Sequence, residues 1–457
     1  MYTILMALLF FVLAYFCFMV IAHTFLLISC YPDLMRYFNK SVHTDIYRHL
    51  PPRSLPPVSI VIPFYNERIN VIEAILSVMR NDYHNIEIIA VNDASTDDTL
   101  SMLIDKFDLI RAPDIVRRVL PTQKIKQVYI SKNYPQLMVI DKEHGGAGDG
   151  INLGINASTA PFFMTFDADS IMATNAISEL MYPIIFSSHT IAVGGAVYIL
   201  NNCLYKNGEM INSKMPYKLT PALQSNEYLR SHLFSRTSWN IFGGTVSYSG
   251  TATLFEKEVV IEAGGFDIDN FAQDAEIIMR LHSHMLKKGY PYKICFNPSS
   301  VVWTDVPGNL KEYIHQRSNW QRGMLRSVLR YDYLFFNKKF KLVGLFNYPM
   351  FIFTEIISVF VEFLAYMLVP IAFYYGVATL KIVILSMVLA WGFIAYITMG
   401  NALLSFITFN KYQGRGDMFW MLLLSVFEVF GFRQIYIFSR MLGTCRYVWN
   451  RLLGRPL

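Results

Sequence analysis

Asp167 and Asp169 are the pair whose type and spacing could do chemistry most directly. They follow the apolar run 162–166, so both carboxylates fall at the end of an expected strand. Two hard oxygen donors there can hold Mg²⁺ or Mn²⁺ between protein and a diphosphate, and such a cation neutralises a departing phosphate. The plainer alternative for an isolated Asp-x-Asp is a solvated acidic turn. Asp93 follows another apolar run, 86–91, and taken alone it reads as a turn or capping residue. Pro63, Tyr65, Asn66 and Glu67 follow a third, 58–62. Lys142 and the run His144-Gly145-Gly146-Ala147-Gly148-Asp149-Gly150 could cradle phosphate with an ammonium and backbone N–H groups, or form a flexible turn. His144 itself reads as structural rather than as a metal ligand.

These groups need elements to position them. The apolar runs, with a further short strand at 137–140, alternate with helical patterns at 69–79, about 98–107 and 145–156. Alternation of this kind predicts a parallel sheet covered on both faces, with ligands at the carboxyl ends of its strands. The acidic groups then converge on one edge, where a cation or a hydrogen-bonding ligand is the physical remedy for their repulsion.

The composition sets this α/β centre apart from its flanks. Of 457 residues, 53% are hydrophobic and only 16% charged, but the average describes no part of the chain. Residues 1–32 carry no Asp, Glu, Lys or Arg, and 346–440 carry nine, whereas the centre has a soluble protein's charge density. The first run exceeds the length that crosses a bilayer and lacks the basic start of a signal peptide, so a retained helix is expected. Arg36, Lys40, Arg48 and Arg53 follow it and place the centre in the cytoplasm. Later apolar runs cover 346–377, 382–409 and 418–438. Pro349 and Pro370 interrupt the first, and basic residues on both sides of the last suggest a re-entrant or interfacial segment. Pro51, Pro52, Pro56 and Pro57 read as a stiff linker. The net charge of +6 is too weak and scattered for nucleic acid, and the five cysteines show no paired or zinc-like spacing.

Taken in order, the segments resemble the membrane-embedded inverting glycosyltransferases of family two, the group of the cellulose, chitin, hyaluronan and poly-N-acetylglucosamine synthases. Val58-Ser-Ile-Val-Ile-Pro-Phe-Tyr-Asn-Glu67 and Val91-Asn-Asp-Ala-Ser95 are similar to its nucleotide-binding segments, and Asp167 and Asp169 to its metal-binding pair. Ser249-Gly250-Thr251 resembles its acceptor-side loop. Phe271-Ala-Gln-Asp274-Ala-Glu276 resembles the segment carrying the general base, and Gln316-Arg317-Ser318-Asn319-Trp320-Gln-Arg322-Gly323 its Gln-x-x-Arg-Trp signature. Trp303-Thr304-Asp305-Val306-Pro307 precedes that signature much as in relatives. The resemblance implies an α/β glycosyltransferase A-type (nucleotide-diphospho-sugar transferase) domain inserted between transmembrane helices. It implies Asp274 as base, with Pro63, Tyr65, Glu67, Asp93, Lys142, Asp167, Arg317 and Arg322 on the donor. Ser249, Gly250 and Trp320 fall on the acceptor, and Asp167 and Asp169 on Mg²⁺ or Mn²⁺.

Three departures bear on this. Ala147 stands where the family has a lysine, so Lys142 is the nearby substitute. Gln273 replaces a glutamate beside Asp274 and removes a like charge. Asn319 replaces the signature arginine, and on a helix Arg322, three residues on, shares its face better than Arg317, two residues back. The expected organisation is a transmembrane helix (1–32), a linker (33–57), a cytoplasmic transferase domain (58–308), interfacial amphipathic helices (309–345), membrane helices (346–440) and a basic cytoplasmic tail (441–457). The expected activity is extension of a β-linked polysaccharide from a UDP-sugar, with UDP-N-acetylglucosamine the first guess, and passage of the product outward across the inner or plasma membrane. Glu355, Glu362, Asn401, Glu428 and Arg433 are the intramembrane polar groups that would mark its route. Transfer of single sugars to a lipid-linked acceptor, and a degenerate partner subunit without turnover, are the alternatives. The tail is too short for the cyclic-dinucleotide barrel of cellulose synthases, so such control would need an accessory membrane subunit.

Overall fold

A computed structural model describes residues 2–40, 55–409, 411–412 and 414–454. Pro51 and Pro52 of the expected linker lie outside the described residues, as do Arg48 and Arg53.

Chain order runs from a long helix α1 (Tyr2–Lys40) into an alternating α/β region. Its strands are β1 (Val58–Phe64), β2 (Ile86–Asn92), β3 (Leu109–Ala112), β4 (Ile125–Ser131), β5 (Leu137–Lys142), β6 (Phe162–Thr165), β7 (Ser170–Met172) and β8 (Thr190–Ile199). The hairpin β9 (Leu204–Lys206) and β10 (Glu209–Asn212) stands apart from the main sheet, which β11 (Thr253–Glu256) and β12 (Lys293–Thr304) complete. Between them lie α2 (Arg68–Met79), α3 (Thr99–Phe107), α4 (Ala147–Ala157), α5 (Ala176–Phe186), α6 (Leu219–Leu229), α7 (Lys257–Glu262) and α8 (Gln273–Lys288).

The main sheet has ten strands in the order β3-β4-β5-β2-β1-β6-β11-β8-β12-β7. β5, β2, β1 and β6 are parallel, as the alternation predicts. The sheet as a whole is mixed, which corrects the expectation of a purely parallel one. β11 runs antiparallel between β6 and β8, and β3, β4 and β7 join antiparallel. The period of two along β1 separates the two core layers. Ile60 and Ile62 pack with Val71, Ile75 and Leu103, while Val61 packs with Ile151, Ile155 and Phe163. At Gly154 a Cβ would come within 2.2 Å of a Val61 methyl, so α4 can lie this close to β1 only with glycine there.

Beyond the sheet come α9 (Leu310–Arg330), α10 (Val343–Tyr374), α11 (Leu380–Thr408), α12 (Arg415–Phe427) and α13 (Phe432–Leu452). Among the described residues α1, α10 and α11 are long and apolar enough to cross a membrane. Pro349 and Pro370 do not interrupt α10. Pro349 opens a helical turn after a π-helical stretch, and Pro370 lies within the final turns. The last apolar run is a pair of helices, α12 and α13, meeting at 65°. The core on one face of the sheet continues into these helices through Ala402, Met421, Leu424 and Phe432, so sheet and membrane-length helices share packing.

Candidate active site

The strand ends bring the expected groups together in three clusters. The first is built on Asp93, just past β2, whose backbone N–H donates to the Phe64 carbonyl at 2.9 Å. Its carboxylate accepts from the Lys142 ammonium, from the Gly145 and Gly146 N–H groups at 2.8 Å each, and lies 2.8 Å from His144 Nδ1. Gly146 reaches this position with φ of +86°, a left-handed value that favours glycine. Burial alone would raise the Asp93 carboxyl; the Lys142 hydrogen bond and the two N–H groups outweigh it and hold the group below its usual range.

Lys142 is fully enclosed, and its ammonium also reaches Asp149 at 2.8 Å and the Glu143 carbonyl at 2.8 Å. Three donors meet three protein acceptors. The expectation that Lys142 contacts the donor is therefore corrected: it is a buried cation between two buried carboxylates. Asp149, absent from the expected site, anchors it and also accepts from the Gln123 N–H at 3.0 Å. The Asp93 carboxylate is likewise engaged by Lys142 and by the glycine-rich turn. Above the turn, exposed Tyr65 faces His144 with ring centroids 5.5 Å apart. Pro63 lies against α4, where a Cβ on Gly150 would sit 3.0 Å from it.

The second cluster is acidic. Asp167 opens onto the cleft, yet the surrounding protein, together with Asp169 and Asp274, raises its carboxyl to about 8. Asp169 accepts from the Thr304 hydroxyl at 3.2 Å and the Ser170 hydroxyl at 3.3 Å; burial nonetheless raises its pKa. Burial and Asp169 push Asp305 up to about 6, and burial, Asp169 and Asp305 raise Glu67. Asp305 is a member of the cluster that sequence reasoning placed only in a motif. Its position one residue after the strand that carries Thr304 was the available signal.

Asp274 joins this cluster through the loop before β11. Its Oδ2 accepts from the Gly250 N–H at 3.1 Å, and the next residue, Thr251, accepts from the Asp167 N–H at 3.1 Å through its hydroxyl. Two consecutive residues thus tie the two aspartates to one loop. Asp274 is the second residue of α8, where N–H groups and the helix dipole favour a carboxylate, and Oδ1 takes the Ala275 N–H at 2.9 Å. Burial still raises its pKa, against the opposing pull of these N–H groups and of Arg236. Arg236 was not foreseen; it lies in the π-helical stretch Arg230–Arg236, outside every motif.

The third cluster is α9. Arg317 is buried, with its guanidinium 3.1 Å from Glu227 and within 3.4 Å of Gln224, and stacked 4.0 Å from the Trp320 ring centroid. The expectation that Arg317 meets the donor is corrected, because its charge is spent on Glu227. Trp320 rests on it and stays 42% exposed. Arg322 has no carboxylate partner among the described residues: it donates to Asn319 Oδ1 at 3.3 Å and packs over Phe271 at 4.7 Å. Burial and Arg446 lower its pKa, the behaviour of an uncompensated cation.

Two hard carboxylates, with further acidic groups that raise one another, fit a divalent cation such as Mg²⁺ or Mn²⁺. Among the described residues no three His, Cys, Asp or Glu side chains form a ready cage. The intramembrane polar residues close on each other. Arg433 pairs with Glu362 at 2.6 Å, Arg230 with Glu428, and Arg440 reaches Glu355 at 3.6 Å, while Asn401 donates to the Ile397 carbonyl at 2.7 Å. The expected acidic and basic route markers are, in this structure, contacts between elements, while the Asn401 bond lies within α11.

Comparison with known proteins gives this arrangement its context. The glycosyl transferase family 2 model matches residues 59–262, and the glycosyl transferase family group 2 model matches residues 163–405, more than half of the chain. The poly-beta-1,6-N-acetyl-D-glucosamine synthase of Staphylococcus aureus (strain COL) is 25% identical over 276 residues, 60% of this chain and 56% of that protein. The chain thus spans little more than half the length of that relative. The probable glycosyltransferase YdaM of Bacillus subtilis (strain 168) is 25% identical over 327 residues, 67% of this chain and 66% of that one. Among solved structures, the mannosyltransferase PcManGT of Pyrobaculum calidifontis, in complex with GDP-Man and Mn²⁺, superposes with a TM-score of 0.50 at 15% identity, covering 90% of this chain and 98% of that chain. Sheet, strand-end carboxylates and matched families agree: the chain belongs to glycosyl transferase family group 2, with a nucleotide-sugar transferase fold joined to membrane-length helices.

Proposed function

We propose that this chain is a membrane-bound inverting hexosyltransferase that moves a sugar from a UDP-sugar to a hydroxyl of a growing β-linked glycan. UDP-N-acetylglucosamine is the first donor to test, because the staphylococcal relative is named for that sugar's polymer. The observation that carries the reading is the loop Ser249-Gly250-Thr251, which links the Asp274 carboxylate to the backbone of Asp167. It sets a proton acceptor beside a phosphate-binding position.

Asp274 accepts the proton of the attacking hydroxyl, and attack opposite the departing diphosphate inverts the anomeric centre. Asp167 and Asp169 hold Mg²⁺ or Mn²⁺, which when bound offsets the charge of the departing diphosphate. Arg322 meets the same diphosphate, since no carboxylate claims it. Tyr65 and His144 flank the nucleoside, with Asp93 and Lys142 fixing the turn beneath. Trp320, steadied by Arg317, stacks on the acceptor sugar, against Ser249 and Gly250. The bilayer holds the chain through α1, α10 and α11, with the transferase domain on the cytoplasmic side.

Arg322→Gln raises the donor KM about tenfold, the loss of one charged hydrogen bond, as steady-state kinetics with varied donor will show. An unchanged KM would assign the diphosphate to another group.

A second reading has one observation in its favour. Glu362, Glu428 and Glu355 each face an arginine rather than an open path, which suits transfer of one sugar to a lipid-linked acceptor without export. Product analysis decides. The full chain in nanodiscs with UDP-N-acetylglucosamine and Mn²⁺ yields a β-linked polymer on the first reading and a glycolipid of one or few sugars on the second.

A further inference from the structure

A cavity of about 560 Å³ is lined by none of the acidic-cleft residues. Its walls are the strand end Met172–Asn175, the hairpin around Gly208–Ser213, and Phe409 and Lys411 just beyond the carboxyl end of α11. Among the described residues one cation on these walls lacks a partner. Trp303 lines the wall with an indole only 6% exposed, its Nε1 enclosed by the protein. The Lys411 ammonium has no carboxylate within ion-pair distance among the described residues. Burial lowers its pKa and the charge of Glu179 opposes this only from a distance. The other cation on the wall, Arg80, is already neutralised by Glu209 at 3.0 Å and bonded to the Asn207 carbonyl at 2.7 Å. One cation is therefore free for an anion, beside the apolar side chains of Met172, Met210 and Phe409.

The position of the cavity selects the anion. Lys411 follows a membrane-length helix by three residues. The hairpin is tied to the same end of the helices: Ser213 donates to the Lys411 carbonyl, and Trp420 of α12 donates to the Pro216 carbonyl at 3.2 Å. Leu204, Ile211, Tyr217 and Leu219, on the hairpin and the segment after it, are all more than half exposed. Exposed apolar groups beside the end of a span fit a bilayer surface, and basic pockets at such ends fit lipid headgroups. A free inorganic anion would need neither the apolar wall nor the apolar rim.

We propose that this cavity receives the phosphate headgroup of an anionic phospholipid, with Lys411 on the phosphate, the Trp303 indole along its wall, and the acyl chains leaving toward the bilayer along α11. Trp303 pairs with Ile171 of β7 and precedes Thr304, which holds Asp169, so an occupant lies against the strand pair that presents the acidic cluster. The inference rests on α11 crossing the bilayer and not on the sugar chemistry.

The test reads binding alone. The purified full chain in a zwitterionic detergent is titrated with short-chain phosphatidylglycerol, and indole fluorescence is followed. A saturable change is expected, weakened about fivefold in Lys411→Gln, the loss of one lysine's attraction to an anionic headgroup, and absent in Trp303→Phe. Lys411 is only half-buried, so its variant keeps the test valid should Trp303→Phe fold poorly. The same change with short-chain phosphatidylcholine, the same change with inorganic phosphate alone, or an unaltered affinity in Lys411→Gln would each overturn the proposal.

Discussion

Asp274→Asn lowers kcat for sugar transfer by about 10³-fold, within the range that a positioned general base supplies, and leaves the donor KM nearly unchanged. The substitution keeps shape and removes only the capacity to take a proton. Its neighbour Glu276 is not a rival. That side chain is fully buried, paired with Arg280 at 2.8 Å and bonded to the Tyr331 hydroxyl, so its charge is internal to α8 and its packing. Asp274 instead faces the Gly250 N–H and feels the field of Asp167. The pH profile carries the same information. Burial raises the Asp274 pKa, and the proton-accepting form is lost as pH falls through that raised value. The acid limb of kcat therefore lies above the ordinary aspartate range, and the residual activity of Asp274→Asn lacks it. Steady-state kinetics of both proteins across pH check this.

Lys142→Met destabilises the protein by about 3–5 kcal/mol, the cost of leaving buried charge without its partner. Lys142 is the cation between Asp93 and Asp149, and neither carboxylate is open to solvent. Methionine fills a similar volume and leaves two anions facing each other. The expected reading is a melting temperature lower by about 10 °C, with the loss partly relieved when Asp93→Asn is added, since the two residues share one network. A lysine that served the donor diphosphate would give the opposite pattern, a raised donor KM with an unchanged melting temperature. The pH dependence has a definite sign. The Asp93 pKa is held below its usual value, so this stabilisation is present at neutral pH and is lost as pH falls through that depressed value. Lys142→Met has little of it to lose.

The two corrections, Lys142 and Arg317, share a cause. Hydrophobic periodicity locates strands and helices, and strand ends locate polar groups, so β1, β2, β6 and α4 with Asp93, Asp167 and Asp169 were legible in the sequence. Periodicity does not say which charged side chain turns inward to meet another. Lys142 meets Asp149 across the glycine-rich turn, and Arg317 meets Glu227 on α6, ninety positions earlier; pairs so formed leave no local trace. Helical phase did help on α9, since it separated Arg322 from Arg317, and the two have different surroundings. The second half of the sheet was hidden for another reason. All ten positions of β8 are buried, and its nearly continuous apolar run does not distinguish a strand from a buried helix. In β12 the polar stretch Asn297-Pro298-Ser299-Ser300, where the register shifts, interrupts the strand pattern. α10 was obscured by its prolines; π-helical stretches flank Pro349, and Pro370 lies within the final α-helical turns.

On the proposed function, the cleft between Asp167 and Asp274 transfers a sugar from a nucleotide donor. The most direct measurement is release of UDP from UDP-sugars by the purified full chain in nanodiscs, with and without Mn²⁺, alongside Asp274→Asn. Release is expected to require both the cation and Asp274, and to be about 10³-fold slower in the variant. Equal rates from the two proteins, or no release from the unaltered chain with any UDP-sugar, would contradict the proposed function.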